Sequence, residues 1–113
     1  MADDCLFCKI IRGEIPATLV YENDRVVAFR DIKPEAPTHI LVVPREHTPS
    51  LNEAADAATI GELSLAAARI AKAEGVADSG YRTVINTNRD AGQTVFHVHL
   101  HLLGGRALAW PPG

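Results

Sequence analysis

The stretch FHVHLHLLGG, residues 96 to 105, alternates strictly, with histidine at 97, 99 and 101 and valine or leucine at 98, 100 and 102. Successive side chains of a β-strand point to opposite faces, so a period of two is a strand signal. The pattern predicts a strand over 94–103, with His97, His99 and His101 on one face and Val98, Leu100 and Leu102 on a buried one. Same-face neighbours stand about 6.5–7 Å apart, near enough for imidazoles to converge on one small ligand. A merely solvated face would be served as well by Thr, Lys or Glu, so three histidines in register point to chemistry.

The remaining sequence supplies a sheet and a cover for it. DDCLFCKIIRGE predicts a short helix, Cys5 to Arg12, stopped at Gly13. Strands are expected around Leu19–Tyr21 and Val26–Phe29, paired across a turn at Asn23-Asp24 as edge or near-edge strands. IKPEAPT, with two prolines, is a loop; HILVVP is a buried strand closed by Pro44. Ser50 and Glu53 have capping-box spacing. A long helix then runs to about Glu74 and ends at Gly75, with Ile60, Leu63, Ala67, Ile70 and Ala71 on one face. YRTVIN is a fourth strand, separated from the histidine strand by the polar loop TNRDAGQ. This order predicts one α+β domain over 1–113, an antiparallel five-stranded sheet with the long helix on one face and a short N-terminal helix. The order of strands within the sheet is not readable at this level.

Composition narrows the functions. With 11 Lys+Arg against 14 Asp+Glu, the net charge of −3 offers no platform for duplex nucleic acid or an anionic membrane. No apolar run approaches the ~18 residues of a membrane span. The first residues, MADDCLFCKII, are acidic and lack the basic region of a secretion signal. The expectation is a cytoplasmic protein, whose cysteines sit in a reducing compartment that disfavours a disulfide.

Two chemistries suit the histidine face. Neutral imidazole is a common zinc ligand, and it is also a nucleophile towards phosphorus. The loop DAGQT places Gly92, Gln93 and Thr94 before the strand, where backbone N–H groups, a carboxamide and a hydroxyl suit phosphate oxygens; by itself the loop is equally a plain turn. Asn86 could direct a further amide the same way.

HVHLHLL fits His-φ-His-φ-His-φ-φ, with φ hydrophobic, the signature of the histidine triad superfamily. FCKIIRGEIPA, AFRDIKPEAPTHILVVPREH, AGQTVFHVHLHLLGGR and WPPG resemble its nucleotide-binding branch, in the same order over nearly the whole chain. Histidine rather than glutamine at 101 distinguishes the chain from the nucleotidyl-transferase branch. The resemblance implies that His99 attacks the α-phosphorus of a nucleoside monophosphate derivative, giving a nucleotidyl-histidine that water hydrolyses. His97 would hold the His99 tautomer through its carbonyl, His101 would neutralise phosphate charge and aid proton transfer, and His39 would support them. Asn86, Gly92, Gln93 and Thr94 match phosphate and leaving-group contacts, with Thr94 where many relatives carry serine. Asp31 matches a ribose-binding carboxylate. Leu6, Phe7, Ile10, Ile15, Phe29 and Ile32 match a purine sandwich, although read alone they are plain core. Trp110 matches a residue that reaches a partner's site in a homodimer. The function implied is a purine nucleoside phosphoramidase releasing AMP; a dinucleoside polyphosphate hydrolase and a nucleotide-binding interaction protein are the alternatives.

Cys5-x-x-Cys8 poses a separate question. A redox dithiol normally opens a helix after a strand, a setting the pattern lacks, and two buried thiols are the plain alternative. Bacterial-type relatives of this fold carry Cys-x-x-Cys with two histidines on zinc. On that resemblance Cys5, Cys8, His47 and His97 are assigned to structural zinc, with no cofactor needed for catalysis. A different expectation, catalytic zinc on His97, His99 and His101 together, remains open on the sequence.

Overall fold

The computed structural model describes residues 3–113. Its elements are α1 (Leu6–Ile11), β1 (Leu19–Glu22), β2 (Val26–Arg30), β3 (Thr38–Pro44), α2 (Ala57–Ala73), β4 (Tyr81–Val84) and β5 (Leu100–Gly104), with short 3₁₀ turns at Leu51–Glu53 and Arg89–Ala91. The five strands form one sheet in the order β1-β2-β3-β5-β4, every neighbouring pair antiparallel. The expected α+β architecture is therefore present. Among the described residues no helix is long and apolar enough to cross a membrane.

β3 lies at the centre, and all seven of its residues are buried. Its period-two alternation sorts its side chains between two layers. Ile40 and Val42 join Val26, Ala28, Leu100 and Leu102 beneath α2, whose inner face is Leu63, Ala66, Ala67, Ile70 and Ala71. The three alanines have no exposed surface, and their small size lets the helix lie close on the sheet. On the opposite face Leu41 and Val43 pack with Val27, Phe29 and Phe7, which α1 contributes. Each fully buried Val, Leu or Ile contributes about 1.5–3 kcal/mol, so the α2 layer, with more buried apolar side chains, makes the larger hydrophobic contribution. The α1 layer is smaller and leaves sheet surface free for a cleft.

Local chemistry explains most boundaries. Asn23 Oδ1 accepts the N–H groups of Arg25 and Val26 at 2.8 and 2.9 Å, which closes the β1–β2 turn where expected. Cys5 caps α1, its sulfur accepting the Cys8 N–H at 3.4 Å. Several expected boundaries are corrected. The Ser50–Glu53 pair closes the 3₁₀ turn at 51–53, where Ser50 Oγ also accepts the Asn52 N–H at 3.1 Å. α2 has its own cap, Asp56, whose Oδ1 accepts the Thr59 N–H at 2.7 Å. β4 ends at Val84 rather than Asn86. The histidine strand is also shorter than 94–103: its ladder starts at Leu100, because the Val98 N–H donates to the Thr48 carbonyl, at 2.6 Å, instead of to a strand. His97 and His99 thus precede the ladder, on a segment tied to the chain that follows β3.

Candidate active site

A cleft of about 360 Å³ opens on the face of the sheet away from α2. α1 supplies Leu6, Phe7 and Ile10 to its wall, and Ile15, Phe29, Leu41 and Ile32 continue the apolar lining. Its polar residues are Arg30, Asp31, Thr94, His99 and His101. The hairpin turn of β1–β2 and the register of β2 on β3, which pairs Phe29 with Leu41, bring the two sides of the wall together.

The histidines are joined by hydrogen bonds whose donors can be assigned. His99 Nδ1–H donates to the His97 carbonyl at 2.8 Å, so Nε2 of a neutral His99 keeps its lone pair. The His99 ring stands edge-on to Phe7, centroids 5.0 Å apart at 89°, and 5.0 Å from the His101 ring. His101, on β5, lies across the ladder from Leu41, diagonal to His39 on β3. The Glu35 N–H donates to His39 Nδ1 at 3.0 Å, which leaves the His39 proton on Nε2, 2.9 Å from His101 Nδ1. Asp31 Oδ2 lies 3.5 Å from the same His39 Nε2. Burial holds His99 below the usual histidine range and pushes His101 down to about 4, the latter reinforced by His99 and His39 and opposed by Asp31. Both rings are neutral near pH 7, the form in which imidazole is nucleophilic.

The three alternating histidines divide between two sites. The His97 ring is fully buried and turns away from the cleft; its Nε2–H donates to the Pro44 carbonyl at 2.8 Å, leaving the Nδ1 lone pair directed at the cysteines. Cys5 Sγ and Cys8 Sγ each lie 3.5 Å from His97 Nδ1, and His47 Nδ1 lies 3.3 Å from Cys8 Sγ and 3.2 Å from His97 Nδ1. A tetrahedral zinc with ordinary Zn–S and Zn–N bonds has S···N edges of about 3.6 Å and an N···N edge of about 3.3 Å. The four side chains fit that ion. Burial, with the charges of His47 and His99 adding to it, pushes His97 down to about 4, which keeps it in the ligating form. Asp31, His39 and His101 also bring ligand atoms within 4.8 Å of one another, but the proton on His39 Nε2 makes that group a hydrogen-bond relay. Among the described residues no cluster joins His97, His99 and His101, which removes the expectation of one metal on all three.

The phosphate-loop residues are placed unevenly. Thr94 lines the cleft, whereas Asn86, Gly92 and Gln93 do not. Gly92 (φ +86°) and Gln93 direct their N–H groups to the Arg89 and Asn88 carbonyls, at 3.0 and 3.1 Å, so the expected anion-binding nest is closed on itself. The buried Gln93 carboxamide accepts from the Asn88 N–H and donates to the Pro49 and Val95 carbonyls, and so braces the loop. Trp110 is 80% exposed and off the cleft; Arg82 of β4 holds the adjacent tail through the Ala109 carbonyl at 2.9 Å.

The HIT domain family model matches residues 12–108, nearly the whole fold and all of the histidine network. The chain belongs to the HIT family. It is 52% identical over 110 residues to the purine nucleoside phosphoramidase of Escherichia coli K12, covering 96% of this chain and 92% of that protein. Among solved structures it resembles a HIT family hydrolase from Legionella pneumophila, with a TM-score of 0.95, 50% identity, and coverage of 97% of this chain and 100% of that one. It also resembles a zinc-bound histidine triad family protein from Mycobacterium smegmatis, with a TM-score of 0.83, 35% identity, and coverage of 91% and 76%.

Several groups of this HIT site were not found from the sequence. The Glu35 N–H and the Pro44 carbonyl set the tautomers of His39 and His97, and backbone groups leave no residue signal. Leu41 could have been found, since the alternation that places His39 on the cleft face of β3 places Leu41 there too.

Proposed function

We propose that this HIT protein is a hydrolase of purine nucleoside phosphoramidates that works through a nucleotidyl-histidine intermediate. The observation that carries the reading is the hydrogen bond from His99 Nδ1–H to the His97 carbonyl, which reserves the Nε2 lone pair for a ligand in an apolar cleft. The 52% identity to a named purine nucleoside phosphoramidase supports the substrate class.

In the first step His99 Nε2 forms a bond to the α-phosphorus while the P–N bond to the leaving amine breaks. The departing amine takes a proton from water, while His101 Nε2–H donates a hydrogen bond to the leaving nitrogen. In the second step the hydroxide left by that water attacks the same phosphorus, the bond to His99 breaks and AMP leaves. Asp31 binds the ribose hydroxyls, and Leu6, Phe7, Ile10, Ile15, Phe29 and Ile32 hold the base. Thr94 contacts the phosphate, backed by the loop of Asn86, Gly92 and Gln93. Cys5, Cys8, His47 and His97 hold a structural zinc, which supplies a crosslink between α1 and the segments around β3 and β5. The protein acts in the cytoplasm as a homodimer, with Trp110 directed to the partner's site. The test is AMP release from adenosine 5′-phosphoramidate with and without chelator. Turnover that persists in chelator supports the reading; a folded, AMP-binding protein without turnover overturns it.

A further inference from the structure

We propose that Arg106, outside the cleft, is a positioning residue that fixes the proton on His101 through Glu35 and His39. The inference rests on the hydrolytic reading above, in which His101 Nε2–H donates a hydrogen bond to the leaving nitrogen.

The Gly104-Gly105-Arg106 sequence that ends β5 and follows the third histidine has no part in the site as described so far. Each of its residues nevertheless makes a close approach. A Cβ on Gly104 would sit 3.1 Å from Val76, beneath the end of α2. Gly105 has φ +90°, and a Cβ there would come within 2.9 Å of Pro37 Cβ, so only glycine lets this turn press on the loop before β3. Arg106 then reaches into the same loop. Its Nε and Nη2 both donate to the Glu35 carbonyl, at 3.1 and 2.9 Å, and Nη1 donates to the Ala107 carbonyl at 3.0 Å. The guanidinium fork is a rigid donor set, so both ends of the contact are oriented.

Glu35 is thereby held from its carbonyl side, and its N–H is the group that faces His39 Nδ1 at 3.0 Å. A peptide N–H can only donate. His39 Nδ1 must accept, its proton must be on Nε2, and that proton points at His101 Nδ1, 2.9 Å away. His101 Nδ1 accepts in turn, so the His101 proton is on Nε2. One guanidinium thus selects one arrangement of protons across two imidazoles. Without it, Glu35 loses its anchor, only the Asp31 carboxylate, 3.5 Å from His39 Nε2, still favours this tautomer, and the form that leaves His101 armed as a donor is less populated. Second-sphere groups that set histidine tautomers act in this way on metal ligands.

The test reads tautomer and chemistry separately in the full chain. Histidine ring ¹⁵N spectra should show Nε2–H tautomers for His39 and His101 in the wild type and a mixture in Arg106→Ala. In Arg106→Ala, kcat for adenosine 5′-phosphoramidate should fall about 10- to 100-fold with KM changed less than about threefold. Arg106→Lys, which keeps a single donor, should restore part of both signals. If the alanine variant does not fold, Arg106→Gln replaces it. Unchanged tautomers, with or without a fall in kcat, overturn the proposal, and so does a loss confined to KM. A tautomer shift in a protein whose wild type does not cleave the phosphoramidate supports the Arg106 link and overturns the hydrolase reading instead.

Discussion

His97 and His99 are two residues apart and serve different clusters through a single shared residue. The His97 carbonyl accepts the His99 Nδ1–H at 2.8 Å, while the His97 ring points its Nδ1 at Cys5 and Cys8. Whatever holds the His97 ring therefore also holds the group that orients His99. The Cys5, Cys8, His47 and His97 cluster and the cleft are separate groups joined by one residue.

His99→Ala removes the proposed nucleophile but none of the sheet. It should lower phosphoramidate turnover by at least about 10³-fold and leave AMP affinity within about threefold. AMP release and calorimetric titration check the two halves; retained turnover would remove His99 from the nucleophile's role.

Metal analysis of the purified protein should find about one zinc per chain, and Cys8→Ser should lose it. Cys8 is fully buried, so the variant also leaves a polar group in a site built for a thiolate. Its Tm should fall by roughly 5 °C or more. A metal-free wild type with undiminished Tm would reject the site.

Acid should weaken the fold through His101. Its folded pKa of about 4 lies below the unfolded value of about 6.5. Between those values the unfolded chain binds more protons, so stability declines as pH falls. The contribution is complete above about pH 6.5 and gone below about pH 4. Urea midpoints measured over this window should drop less steeply in His101→Gln than in the wild type. Parallel curves for the two proteins would contradict a neutral, buried His101.

Asp31→Asn tests the ribose assignment while preserving the local turn, in which Asp31 Oδ1 accepts the Lys33 N–H at 2.8 Å. The affinity for AMP should fall by about 1–3 kcal/mol, with little change for an analogue lacking both ribose hydroxyls. Equal losses for the two ligands would place the carboxylate's role elsewhere.

Much of this molecule was legible because its patterns are local. The histidine alternation, the amphipathic run from Ile60 to Ala71 and the Asn23-Asp24 turn each depend on side-chain spacing alone, and each led to the element found. The extent of the histidine strand was not legible, since Val98 gives its N–H to Thr48, a pairing across 50 residues of chain that alternation does not encode. The same reason hid the contacts that brace the loop. Gln93 has the composition of a phosphate contact, and only the approach of Pro49 turns its carboxamide into a brace. The division of the histidines between two sites was suggested by the family resemblance, but its cause, a proton given to the Pro44 carbonyl, is a backbone property.

β3 has a further consequence. Ile40 and Val42 are floorboards for α2, while of the residues that alternate with them Leu41 lines the cleft and His39 holds His101 from behind. No buffering layer separates scaffold from chemistry. A methylene added or removed under α2 shifts the backbone that carries His39, so substitutions in the helix-facing core should surface as altered turnover before they surface as unfolding.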